Sequence, residues 1–326
     1  MHDEAQPLGQ AARLAEESLA ARAAGDLERA LAAAERSAEL RRAALGEHAD
    51  TAAALGLVAA ARRRRGELDA ALAADAEALA IYEHVLGDSH PDTATAAGNL
   101  SATRRARGEH DAALALGQRA LDGLRAACGS DDPRTALAWG NLAAVRRARG
   151  EHADAVACGR ELLRIRQVVL GDMHLETAAA HSTLGSLLAA AGDLAAALVE
   201  ETTALRLREA HADPRVALES LTNLATIYRN LGDAERSLAA QRRALTVQQA
   251  ALGDADPATT RSRLYIAYTL LRLGRRPEAR RVLDEGLRHA PGDKDLRALD
   301  QQLAAAPQPG FRAPPARGRP RGRGKR

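Results

Sequence analysis

The chain has 326 residues, with 46 Lys and Arg against 43 Asp and Glu, a formal net charge of +3, and aromatic residues at only 2%. That length allows two ordinary domains or one long array, and so few aromatics exclude a large conventional core. No apolar run long enough to span a bilayer occurs, and the opening MHDEAQPLGQ lacks the apolar stretch of a signal peptide.

Ala, Leu, Arg and Glu dominate, and all favour helix. Val and Ile are scarce, and no segment alternates apolar and polar residues as a half-buried strand does. The expected fold class is therefore all-α. Residues 1–9 read as an N-terminal extension. From residue 10 onward the chain is punctuated by Gly25, Gly66, Gly108, Gly150, Gly192, Gly232 and Gly274, spaced 40–42 residues apart. A period of that size marks a solenoid or array of supersecondary units.

Each glycine separates two helix-length segments, as in GNLSATRRARG (98–108) followed by EHDAALALGQRAL (109–121). A glycine just past a helix end supplies the left-handed conformation that stops it. The Glu or Asp after it favours the start of the next helix through the helix dipole. Seven positions before the glycine stand Ser18, Ala59, Ser101, Ala143, Gly185, Ala225 and Ala267; five after it stand Ala30, Ala71, Ala113, Ala155, Ala197, Ser237 and Ala279. Small residues at both places imply helix backbones in close approach. Val58, Leu100, Leu142, Leu184, Leu224 and Ile266 supply the bulky partner one position earlier. Second helices end in Leu-Gly at Leu45-Gly46, Leu86-Gly87, Leu170-Gly171 and Leu252-Gly253, and the next helix opens on pairs such as His90-Pro91, Asp132-Pro133, Asp213-Pro214 and Asp256-Pro257. Asp is a good N-cap and proline suits the first helical turn. His48, His90 and His174 recur with these junctions, which argues for a structural role.

This pattern resembles the tetratricopeptide repeat, in the form of about 42 residues found in kinesin light chains. The linker and helix HPDTATAAGNL (90–100) and the single Trp139 fit that resemblance. It implies a right-handed α-solenoid of about seven helical hairpins over residues 10–291, closed by a cap helix within 292–306. Three departures stand out. The aromatic expected four residues before the glycine is Arg62, Arg104 and Arg146 in the middle units. Its partner on the second helix is Asp75, Gly117, Gly159 and Glu201, so an arginine reaching past a glycine or pairing with an acid is expected to fill that space. Unit one carries Glu17 at the leucine position, so it begins the array as a cap or lacks a proper hairpin.

The resemblance further implies a non-catalytic scaffold or adaptor whose first helices line a concave groove for a peptide or partner protein. Asn99, Asn141 and Asn223, nine before the glycine, are then expected to face the groove, with Thr183 between. An amide both donates and accepts, so it can hydrogen-bond a peptide backbone of any sequence. Arg63, Arg105, Arg147 and Arg229, three before the glycine, would edge the groove and favour an acidic peptide. For the asparagines, hydrogen bonding between helices is the open alternative; for the arginines, solvated helix ends that complement the dipole.

Residues 307–326 change to Pro, Gly and Arg, with seven basic residues and no acid, and are expected to be a disordered basic tail. Arg317-Gly318-Arg319-Pro320-Arg321 resembles the AT-hook, which lays Arg-Gly-Arg in the minor groove of A·T-rich DNA. The alternative function is thus a nucleic-acid-associated regulator with weak binding through this tail. Self-association through exposed end hairpins is a third expectation. No phosphate loop, nucleophile elbow, zinc motif or CxxC is present, so no catalytic residue, cofactor or metal site is expected. Cys128 and Cys158 read as reduced packing residues of a cytoplasmic protein.

Overall fold

The computed structural model describes residues 5–304. They form fifteen α-helices, one short 3-10 turn and, among the described residues, no strand. The helices are α1 (Ala5–Ala24), α2 (Leu27–Leu45), α3 (Ala49–Arg65), α4 (Leu68–Leu86), α5 (Pro91–Arg107), α6 (His110–Cys128), α7 (Pro133–Arg149), α8 (His152–Leu170), α9 (Leu175–Ala191), α10 (Leu194–Glu209), α11 (Leu218–Asn230), α12 (Ala234–Leu252), α13 (Pro257–Arg272), α14 (Arg276–His289) and α15 (Lys294–Ala304). Contacts divide the chain into two compact units, the first ending at Asp193 and the second beginning at Leu194. Helix α1 starts at Ala5, inside the 1–9 segment read as an extension, because Pro7 lies in the first turn, where proline is tolerated.

Two kinds of glycine set the repeat. Gly66 closes α3 at φ 82°, ψ 7°, and its N–H donates to the carbonyls of Arg62 and Arg63. Gly87 closes α4 at φ 82°, ψ 166°, a region that side-chain-bearing residues scarcely enter. Helices then start on caps: the Nδ1 atoms of His48, His90 and His174 accept from the backbone N–H two residues on, as the Asp132 carboxylate does. The linker histidines are N-caps. Thr51, Thr93, Thr135 and Thr177 tie each of these starts back to the carbonyl of the preceding junction glycine.

The small positions are buried in every unit. Where serine replaces alanine, the close approach is visible directly: Ser18, Ser101 and Ser237 donate to the carbonyls of Ala30, Ala113 and Ala225 at 2.6–2.8 Å. The first hairpin is complete. Glu17, at the leucine position, pairs with Arg29 across α1 and α2 at 2.7 Å.

In the first unit, α1, α3, α5, α7 and α9 each touch the next of the set, while α2, α4, α6 and α8 pack on the first helices beside them. The first helices therefore form the inner layer of that unit. In the second unit, the junction shortened between α10 and α11 folds as the 3-10 turn Pro214–Ala217, and buried Arg208 holds it by donating to Ser220 and Glu219. Helix α15 caps the far end by burying Leu296 and Leu299 against Leu264 and Leu283.

Candidate peptide-binding site

Residues from α1, α3, α4 and α5 enclose an open cavity of about 300 Å³ on the first-helix face of the first unit. Arg22, Arg63 and Asn99 line it, with Asp75 and Tyr82 of α4 at its base and Asp92 at its edge. Arg63 and Asn99 were expected there. Arg22 was not named, although it stands three residues before Gly25, in the same register as Arg63.

Asn99 and Asn141 are half-buried. Each lies against a glycine of the preceding first helix: a methyl group built on Gly56 would stand 4.0 Å from Asn99 Nδ2, and one on Gly98 would stand 3.7 Å from Asn141 Nδ2. No described residue hydrogen-bonds either side-chain amide. Asn223, in the second unit, differs: its Nδ2 donates to Glu201 Oε2 at 3.1 Å, the interhelical alternative. Thr183 donates its hydroxyl to Ala179 O within α9.

The arginines three before the glycine fall into distinct environments. Arg63 donates to Thr103 Oγ1 at 2.8 Å and to Asn99 O at 3.4 Å, and lies 3.6 Å from Asp75. Arg105 is half-buried; burial, then Arg147 and Arg63, lower its pKa. Arg147 is exposed and donates to Ser186 Oγ at 3.2 Å. Arg229 is exposed at the end of α11. Asp75 is only 2% exposed. Burial pushes its carboxyl up to about 6, against the Thr103 hydroxyl and the Arg63 guanidinium, which pull it down.

The arginines four before the glycine do not fill the space left by the missing aromatics. Arg62 reaches back to Glu35 at 2.6 Å, Arg104 to Glu109 at 2.6 Å and Arg146 to Asp154 at 2.6 Å. Leucines close the gaps instead. Leu142 packs over Gly117, and Leu187 and Leu184 pack over Gly159. It is Arg63, one position later, that meets the buried acid.

Two other features carry no predicted site residue. A cavity of about 480 Å³ in the second unit is lined by His211, Leu221 and Val247, and its charged walls, Glu209 and Arg243, pair with each other. Asp254, Glu285 and His289 converge among the described residues, but the buried Arg263 guanidinium pairs with both acids there and supplies the positive charge. Cys158 is a buried free thiol and Cys128 a partly buried one. Arg317, Gly318, Arg319, Pro320 and Arg321 lie outside the described residues.

Stacked helical hairpins joined through glycine, with small residues at each crossing, define a helical repeat protein of the α-solenoid class. The tetratricopeptide-repeat family model matches residues 50–126, 134–210 and 216–291. Those matches take in well over half of the sequence, and the chain belongs to the tetratricopeptide-repeat family. Its fold is similar to that of BtubC (BKLC) from P. vanneervenii, at 24% identity and TM-score 0.60 over 70% of this chain and 92% of that one. It is also similar to a putative kinesin light chain repeat protein of Podospora anserina, at 18% identity and TM-score 0.55 over 67% of this chain and 99% of that one. Cut9, from the APC/C Cut9–Hcn1 assembly, gives 16% identity and TM-score 0.53 over 84% of this chain and 48% of that one. No curated protein matches the sequence. The repeats make the chain a protein-interaction scaffold of the tetratricopeptide class. No helix among the described residues is long and apolar enough to cross a membrane.

Proposed function

We propose that the first-helix face of the first unit binds an extended peptide segment of a partner protein, without catalysis and in the cytoplasm. The observation that carries this reading is the pair of half-buried amides, Asn99 and Asn141, which stand 42 residues apart on adjacent first helices with no internal partner. A partly buried amide left unpaired costs free energy, and a ligand backbone removes that cost. The spacing suits a strand. Packed helix axes lie about 8–10 Å apart, and an extended chain advances about 3.3 Å per residue, so each repeat meets about every third peptide residue. The arginines at the same face favour an acidic segment.

The test is to select peptides that bind the full-length chain from a random library and measure their dissociation constants by fluorescence anisotropy. Replacing Asn99 and Asn141 together with Ala removes two hydrogen bonds of about 1 kcal/mol each, a weakening of roughly 30-fold. Asn223 stays in place, because it is bonded to Glu201. Unchanged affinity in the double variant, with unchanged helix content, rejects the assignment.

A further inference from the structure

Arg63, Arg105 and Arg147 occupy the same register on α3, α5 and α7, yet only the first is neutralised by the fold. Arg63 has three acceptors: Asp75 on its own hairpin partner, and Thr103 and the Asn99 carbonyl on the next first helix. One repeat further on, Gly117 stands in place of Asp75 and Val145 in place of Thr103. Arg105 has therefore lost both side-chain acceptors. The charges acting on its half-buried guanidinium are those of Arg63 and Arg147, with no carboxylate among them. In the next repeat Gly159 and Leu187 stand at those positions, and Arg147 reaches only the Ser186 hydroxyl.

The missing acids are not replaced from within. A methyl on Gly117 would already meet Ser101 Oγ at 3.2 Å and Leu142 Cδ1 at 3.5 Å, and one on Gly159 would meet Leu187 Cδ1 at 2.6 Å. An anion can reach these guanidiniums only from the first-helix face. Arg63 lies beside residue 99 of the next first helix; the same register sets Arg105 beside residue 141, whose amide is unpaired.

We infer that Arg105 and Arg147 form a carboxylate-binding site on the first-helix face of the first unit, taking one Asp or Glu side chain of an extended partner peptide. The inference rests on the peptide-binding reading above and adds a specificity to it. Charge complementarity argues for the occupant, and the fold's own Arg63–Asp75 pairing argues for a carboxylate. Arginine binds carboxylates through charge-assisted, often paired hydrogen bonds.

The probe is the tightest dodecapeptide returned by the selection, remade with each residue in turn as Glu, Gln or phosphoserine. At one position the Glu peptide binds about tenfold more tightly than its Gln counterpart, the gain of one charge-assisted bond. That gap disappears in Arg105→Gln/Arg147→Gln and persists in Arg107→Gln, which removes a positive charge that the fold pairs with Asp69 and Glu109. Unchanged affinity of the Gln peptide for the double variant shows that the face is still folded. Equal binding of Glu and Gln peptides at every position overturns the carboxylate site while leaving the peptide-binding reading intact. A Glu preference that survives the double variant overturns it as well, as does a phosphoserine preference without one for Glu. Recovery of no binding peptide overturns both readings.

Discussion

Asp75 should make the first unit less stable as the pH rises toward neutrality. Its carboxyl is 2% exposed, accepts from Thr103 Oγ1 at 2.5 Å and has its only cation, Arg63, at 3.6 Å. Desolvation outweighs both, and the group titrates at about 6 in the folded protein against a model value of 3.8. Between those values the folded state holds a proton that the unfolded chain has released. The stabilisation from this group is therefore complete below the unfolded value and is lost as pH rises through the folded one. A shift of about two units corresponds to about 3 kcal/mol. Asp75→Asn keeps the shape and an acceptor for Thr103 but cannot ionise. Its unfolding free energy should match the parent near about pH 4 and exceed it by up to about 3 kcal/mol near about pH 7. Urea denaturation followed by far-ultraviolet circular dichroism and by fluorescence of Trp139, the single tryptophan, reads the gap; coincident transitions license two-state treatment. A gap that stays constant with pH, or an Asn variant less stable than the parent at neutrality, would refute the reasoning, because Arg63 would then outweigh burial.

Three further outcomes follow from particular contacts. Arg105→Gln removes a guanidinium with no internal acceptor and two like-charged neighbours, so the melting temperature should hold or rise; a drop equivalent to about 0.3–1 kcal/mol would return the residue to a simple helix-end role. His90→Ala removes the N-cap of α5, where Nδ1 accepts from Asp92 N at 3.1 Å, and should cost about 1 kcal/mol, whereas His90→Asp should cost little; equal losses in thermal melts would show that the ring packs rather than caps. Gly123→Ala brings a methyl to 2.9 Å from Ala94 Cβ. Neither side has a flexible end to move, so crowding of about 1–3 kcal/mol should outweigh the roughly 1 kcal/mol helix preference for alanine; a variant as stable as the parent in urea would contradict the close packing of α5 on α6.

The groove asparagines were legible in the sequence because their register repeats with the hairpin glycine, and the same register contains Arg22, which was passed over. Two assignments were not legible. The arginines four before the glycine were expected to meet the second-helix acids, but Arg62 reaches Glu35 and it is Arg63 that reaches Asp75. Helical periodicity gives the direction of a side chain about its own axis; which acid it meets depends on the stagger between packed helices. The histidine junctions could be assigned a structural role from their recurrence, while the Nδ1 cap geometry needed backbone coordinates.

The sequence alone determined the hairpin repeat. Its causes are local: a glycine that must take positive φ, a small residue on each side of a crossing twelve residues apart, and helix-forming residues between. Tertiary structure alone decided which arginine is neutralised. Arg63 and Arg105 look alike along the chain, and only the stacking of neighbouring hairpins brings Asp75 and Thr103 to the first while setting Gly117 and Val145 beside the second, since electrostatic partners are chosen by distance in space.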